Sequence, residues 1–107
     1  MTKYNLRNLT LREKQSTFVL MVRDLITFAT QSGYEFTFGD AWAHNGHKKD
    51  SNHYIRLAID LNLFKDGKWI TDGEDFVPLH DYWDSIGGAQ RIIHDMNHFS
   101  VEHQGRW

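Results

Sequence analysis

Residues 51–64 read SNHYIRLAIDLNLF. The segment is rich in branched and aromatic side chains, the composition of a β-strand. Its one carboxylate, Asp60, stands among mostly apolar neighbours. A carboxylate in such a setting needs a cation, a set of hydrogen bonds or water. Its plainest reading is an Asp on the solvent face of an amphipathic strand. Immediately downstream, Lys65-Asp66-Gly67-Lys68 is a tight-turn signal, and Trp69-Ile70 returns as a second strand, giving a β-hairpin.

Upstream, residues 43–52 (AHNGHKKDSN) are polar and without periodicity, which predicts a surface loop. Before it, Tyr34, Phe36 and Phe38 alternate with Glu35, Thr37 and Gly39, the period of a strand. Further back, Thr10 and Glu13 have the spacing of a capping box, in which each side chain bonds the other's backbone N–H. Phe18, Met21, Val22, Leu25, Ile26 and Ala29 then recur at three- and four-residue steps. This predicts a helix over about residues 10–31, ended by Gly33 and packing through the face from Phe18 to Phe28. Residues 1–9 read as a lead-in strand or arm. On the other side, Phe76–Ile86 predicts a short helix with Pro78 in its first turn and Gly87-Gly88 as its stop. His98–Glu102 predicts a final strand. The order is that of one α+β domain spanning residues 1–107. It combines a small antiparallel sheet, a long N-terminal helix and a short second helix.

Composition narrows the function. A length of 107 residues suits a single domain, and 40% hydrophobic with 14% aromatic residues supplies a small but real core. The net charge of −2, with Lys48-Lys49 as the only adjacent lysines, does not suit a nucleic-acid binder. There is no cysteine, which rules out disulfides and thiolate metal sites. No run of about 18 apolar residues exists, so no membrane partner is expected. MTKYNLRNLTLREK lacks the apolar centre of a signal peptide, so the chain is expected to fold in the cytoplasm.

The chemistry concentrates in residues 51–60 and 94–99, which supply imidazoles and carboxylates inside otherwise apolar surroundings. Without thiolates, zinc takes such groups, and a catalytic zinc has three protein ligands and an open position. Taken singly, His53 and His98 each read as a surface or a satisfied core histidine. Taken together, Ser51-x-His53 with Ala58-x-Asp60, followed by Asp95-x-x-His98, resembles the signature of the zinc D-Ala-D-Ala carboxypeptidases and phage L-alanyl-D-glutamate endopeptidases. The phrase HDMNHFSVEH at 94–103 is similar to the closing strand of the phage members, and the likeness covers about residues 33–103.

That resemblance implies a D-Ala-D-Ala peptidase-like fold. It also implies a zinc ion on His53, Asp60 and His98, with Asp95 as catalytic base. The ligand spacing then has a geometric consequence. His53 and Asp60 are seven apart, an odd number that separates side chains onto opposite faces of a regular strand. His53 must therefore sit on a loop or bulge that folds back, and Asp95 on the loop entering the last strand.

The chain departs from the family's pattern in two places. Arg56 stands where the family has Gly three positions after the first ligand. The arginine that polarises the substrate carbonyl, usual after the strand before the loop, is missing. His44, His47, Lys48 and Lys49 are the candidates to replace it, and Ser51, Arg56 and His44 are possible substrate or oxyanion contacts. The absence of a Trp-rich motif around the base favours the endopeptidase branch.

The expected function is a monomeric phage endolysin that cleaves the L-Ala-D-Glu bond of peptidoglycan stems and reaches the wall through a holin or similar pore. A D,D-carboxypeptidase of the same fold is one alternative. A catalytically weakened, metal-binding part of a phage particle is another. Core packing is expected for Trp42 and Trp83, a structural or exposed place for His80, and surface positions for His94 and His103, one of which could orient a ligand.

Overall fold

A computed structural model describes residues 3–107. Helix α1 runs from Leu11 to Gln31 behind Thr10, and the capping box is present in both directions: Glu13 N–H donates to Thr10 Oγ1 and Thr10 N–H to Glu13 Oε1. Strand β1 (Tyr34–Phe38) follows after Gly33, whose φ of 90° suits a residue with no Cβ. A long loop and a single 3-10 turn (Asn52–Ile55) lead to β2 (Ala58–Lys65). The hairpin turn places Asp66 and Gly67 at positive φ and returns as β3 (Lys68–Ile70). A second 3-10 turn (Gly73–Phe76) runs into α2 (Val77–Ile86), which stops at Gly87 in the left-handed region. A Cβ at Gly87 would lie 2.5 Å from the Tyr4 carbonyl oxygen, so glycine is needed here for space as well as for conformation. The last strand, β4, covers His98–Ser100 and is shorter than the run to Glu102 that its composition suggests. The described part of the lead-in, residues 3–9, is an arm, residues 1 and 2 lying outside the described residues, and Tyr4 N–H donates to Ile86 O.

All strand pairs are antiparallel, with β2 in the middle. Strand β1 takes one edge of β2, and that pairing continues past Phe38, where Gly39 N–H donates to Asp60 O and Asp60 N–H donates to Asp40 O. Strands β3 and β4 share the other edge end to end: β3 pairs with residues 63–65 and β4 with residues 58–60. The two helices cover one face. Ile59, Leu61 and Leu63 of β2 and Phe99 of β4 pack there with Met21, Leu25, Leu79 and Trp83. Burying each such side chain contributes about 1.5–3 kcal/mol. Asp60 and Asn62 point to the opposite, less covered face, as strand alternation requires. Among the described residues no helix is long and apolar enough to cross a membrane.

Two aromatic expectations separate here. Trp83 is fully buried between Phe18 and Phe99, and its indole N–H donates to Ser100 O. Trp42, expected in the core, is 41% exposed; it sits in the loop after β1 with the Arg56 guanidinium 4.4 Å above its ring. The loop runs outside the sheet, and its indole covers Arg56 instead of reaching the core.

Candidate metal centre

The register of β2 and β4 builds the first half of the site. Asp60 lies directly opposite His98. Asp60 sends its backbone bonds toward β1, so this is a non-hydrogen-bonded pair, the kind whose side chains stand closest. His98 Nδ1 is 3.6 Å from Asp60 Oδ1. The second half comes from the turn before β2. Ser51 caps it, its hydroxyl accepting from His53 N–H, and Arg56 closes it with φ 59°. A left-handed residue reverses the chain here, which is the service a glycine performs without strain. The reversal brings His53 Nε2 to 3.1 Å from the same Asp60 oxygen. The odd spacing between His53 and Asp60 is therefore resolved by a fold-back into a 3-10 turn.

The turn is fixed from below by the C-terminal segment. Asn52, fully buried, donates from Nδ2 to Val101 O and Arg106 O. The Arg106 guanidinium donates to Ser51 O, Asp50 O and Asn52 Oδ1. Neither residue announces itself in the sequence, because the contact joins positions about fifty residues apart.

The third element is the turn into β4. Asp95 N–H donates to Ile92 O, and His98 N–H to Asp95 O. The Asp95 side chain is half exposed, with Oδ2 3.9 Å from His98 Nδ1. His80 supports this turn from α2. It is buried, stacks on Phe99 at 4.2 Å, and donates from Nε2 to Met96 O at 2.7 Å. Of its two expected places, His80 takes the structural one.

Burial works against ionisation of Asp60, yet the hydrogen bonds from His53 and His98 overcome it and hold the carboxyl well below the usual carboxylate range. Burial pushes the His80 imidazole down, offset only in part by its bond to Met96 O.

Two groups of donors have the spacing to hold a metal ion, and they share Asp60: His47, His53 and Asp60 on one side, and Asp60, Asp95 and His98 on the other. Within each group the donor atoms lie within 4.8 Å of one another. His53 Nε2 at 3.1 Å and His98 Nδ1 at 3.6 Å from Asp60 Oδ1 each stand at about the 3.4 Å separation of two ligands on one ion with bonds of about 2.1 Å, while His53 and His98 fall in different donor groups that meet at Asp60. The donor types suit zinc in a chain without thiolates. The outward nitrogens, His53 Nδ1 and His98 Nε2, are buried with no partner among the described residues. A neutral imidazole that offers its inward nitrogen to a cation keeps its proton at that outward position.

A cavity of about 250 Å³ opens over the donors, lined by His47, Lys48, Ser51, His53, Ile92, Asp95 and His98. Of the expected substrate contacts, Ser51 borders it. Arg56 and His44 do not: Arg56 is committed to Trp42, and the His44 ring packs edge-on against the same indole at 4.1 Å. His94 is exposed, and His103 lies away from the site beside Lys14. His47, one of four candidates in the loop, is the histidine that the structure brings in.

The chain matches no family model, no curated protein and no solved structure.

Proposed function

We propose that this chain is a zinc-dependent endopeptidase that cleaves the L-Ala-D-Glu bond of peptidoglycan stems, a phage endolysin in type. The observation that carries the reading is the convergence on Asp60 of His98, through strand register, and of His53, through a fold-back turn, with Asp95 at the rim of the same cavity. His53, Asp60 and His98 would hold the cation. A bound cation acidifies a water molecule and polarises a carbonyl.

Asp95 does the proton work. Its half-exposed carboxylate accepts the water's proton as the oxygen adds to the peptide carbonyl. It then passes that proton to the amine nitrogen as the C–N bond breaks. Ser51 and Asn52 keep His53 at its position throughout. A second cavity of about 310 Å³ also borders Asp95, with Trp69, Ile70 and Ile93 in its walls, and gives an extended stem room beside the base. A peptide stem is the proposed partner. The proposed place of action is the cell wall, reached from the host cytoplasm through a pore.

The test is digestion of purified muropeptides by zinc-loaded protein, with product analysis. New N-terminal D-Glu is expected, and chelator should abolish it. Free D-alanine would instead identify a D,D-carboxypeptidase, and cleavage that chelator leaves untouched would exclude zinc chemistry. Asp95→Asn should retain zinc while losing about 10²–10⁴-fold in turnover. A near-normal rate in that variant would remove Asp95 from the mechanism.

A further inference from the structure

The helices leave part of the sheet's inner face uncovered. Phe38 pairs directly with Leu61, and direct partners point to the same side. Leu61 is fully buried, yet Phe38 is 68% exposed, and Val19 on α1 is 65% exposed. Both line a groove of about 530 Å³ that also takes in Trp42 and the buried Phe18, Val22 and Ile59. A recess of this size, mostly apolar with a few polar groups, has the form of a small-molecule site. We propose that it binds a single-chain anionic amphiphile, a fatty carboxylate in type, with the tail along α1 and the head at Arg12 and Arg56. The groove shares no lining residue with the cavity over the metal centre, so this proposal stands apart from the peptidase reading.

Charge selects the head group. Arg12 and Arg56 are the only charged residues in the lining, and neither forms an ion pair among the described residues. Arg12 gives one N–H to Ser16 Oγ. Arg56 rests its guanidinium 4.4 Å over the Trp42 ring and donates no hydrogen bond among the described residues. Guanidinium N–H groups left over in this way suit a carboxylate. Gln15 Nε2 donates to Ile55 O, which ties the residue before Arg56 to the turn of α1 that follows Arg12. The two arginines thus belong to the same end of the groove. From Arg12 to Val22 the helix wall then runs about 15 Å at 1.5 Å per residue, the direction assigned to the tail.

Other occupants fit less well. The uncharged polar side chains of the lining, Gln15 and Ser16, are already bonded to Ile55 O and Arg12. A peptide lying here would bury backbone N–H and C=O groups against apolar walls, at a cost that an alkyl chain does not incur. A bilayer surface is recognised by clusters of about 4–8 basic residues. This groove offers a pair, on a chain of net charge −2.

The experiment titrates the full chain with dodecanoate, below the concentration at which it forms micelles, and reads calorimetric heat and tryptophan fluorescence. One saturable site is expected, with a fluorescence change that Trp42→Phe removes. Arg12→Gln and Arg56→Gln, both at exposed positions, should each weaken binding by about tenfold, the loss of a charge-assisted hydrogen bond. Val19→Ser should weaken it several-fold through lost apolar contact. Dodecanol, with the same tail and no charge, should bind about tenfold more weakly than dodecanoate. Acetate should not bind, and Asp60→Ala should match the parent. Full affinity in both arginine variants, or equal affinity for dodecanol, would overturn the proposal. Loss of binding in Asp60→Ala would overturn it too, because the carboxylate would then sit on a cation at the metal centre. Attachment to anionic vesicles without any binding of dodecanoate would assign the face to a bilayer instead and would overturn it as well.

Discussion

The two halves of the candidate centre are held in place by different physics. Asp60 and His98 are neighbours because β2 and β4 pair in a register that the core enforces. A one-residue slip of β4 along β2 would turn Phe99 out of the core. His53 has no such guarantee. It depends on a four-residue 3-10 turn, a serine cap, a left-handed arginine and a hydrogen-bonded latch to the C-terminus. One side of the site is thus secured by the hydrophobic core, and the other by a handful of polar contacts. Damage to the polar side should appear as lost metal affinity as well as lost stability.

The largest expected effect treats the halves alike. His53→Ala and His98→Ala should each reduce zinc binding below detection in a chelator competition. Unchanged stoichiometry in either variant would remove that residue as a ligand. The next separates the halves. Asn52→Ala leaves the Val101 carbonyl without its donor, leaves the Arg106 carbonyl with His103 N–H alone, and frees the turn. It should cost about 1–3 kcal/mol, or about 4–8 °C in Tm for each kcal/mol. It should also weaken zinc by about 10–100-fold, as loss of a ligand's support does. A drop in Tm with full zinc affinity would mean that the turn does not need its latch.

A third prediction concerns His80, which supports the strand-built half. Its folded-state pKa is depressed, so folding favours the neutral ring. That contribution is complete above the unfolded value of about 6.5 and is lost as pH falls from there toward the lower folded value. The Tm of the metal-free chain should fall between pH 7.5 and 5.5, and His80→Gln should flatten that slope. An unchanged slope would show that other groups set the acid limit. The smallest effect belongs to Arg56→Gly. Relief of left-handed strain is opposed by the loss of the stacking on Trp42 and by a looser unfolded chain. Stability should shift by less than about 1 kcal/mol, while Trp42 fluorescence changes. A large loss of stability would show that the Arg56–Trp42 stack holds the turn.

The same division explains what could be read in advance. Helix α1, its capping box, the hairpin turn and the alternation in β1 and β2 are local patterns, and each appears where its residues place it. The ligand spacing, together with strand alternation, was enough to require a fold-back at His53. The form of the fold-back was not legible, since Asn52 and Arg106 act across about fifty residues. His80 reads as an ordinary helix residue until the path of residues 92–97 is known. The pairing of Asp40 with His47 joins two positions of an aperiodic loop, and no period marks it. Trp42 was expected in the core because large aromatics usually go there; its loop never turns inward.

The most direct test is calorimetric titration of the chelator-stripped chain with Zn²⁺, beside Asp60→Ala, the one residue common to both halves. The account predicts one saturable site per chain in the parent and none in the variant. No saturable site in the parent, or equal affinity in both proteins, would contradict it.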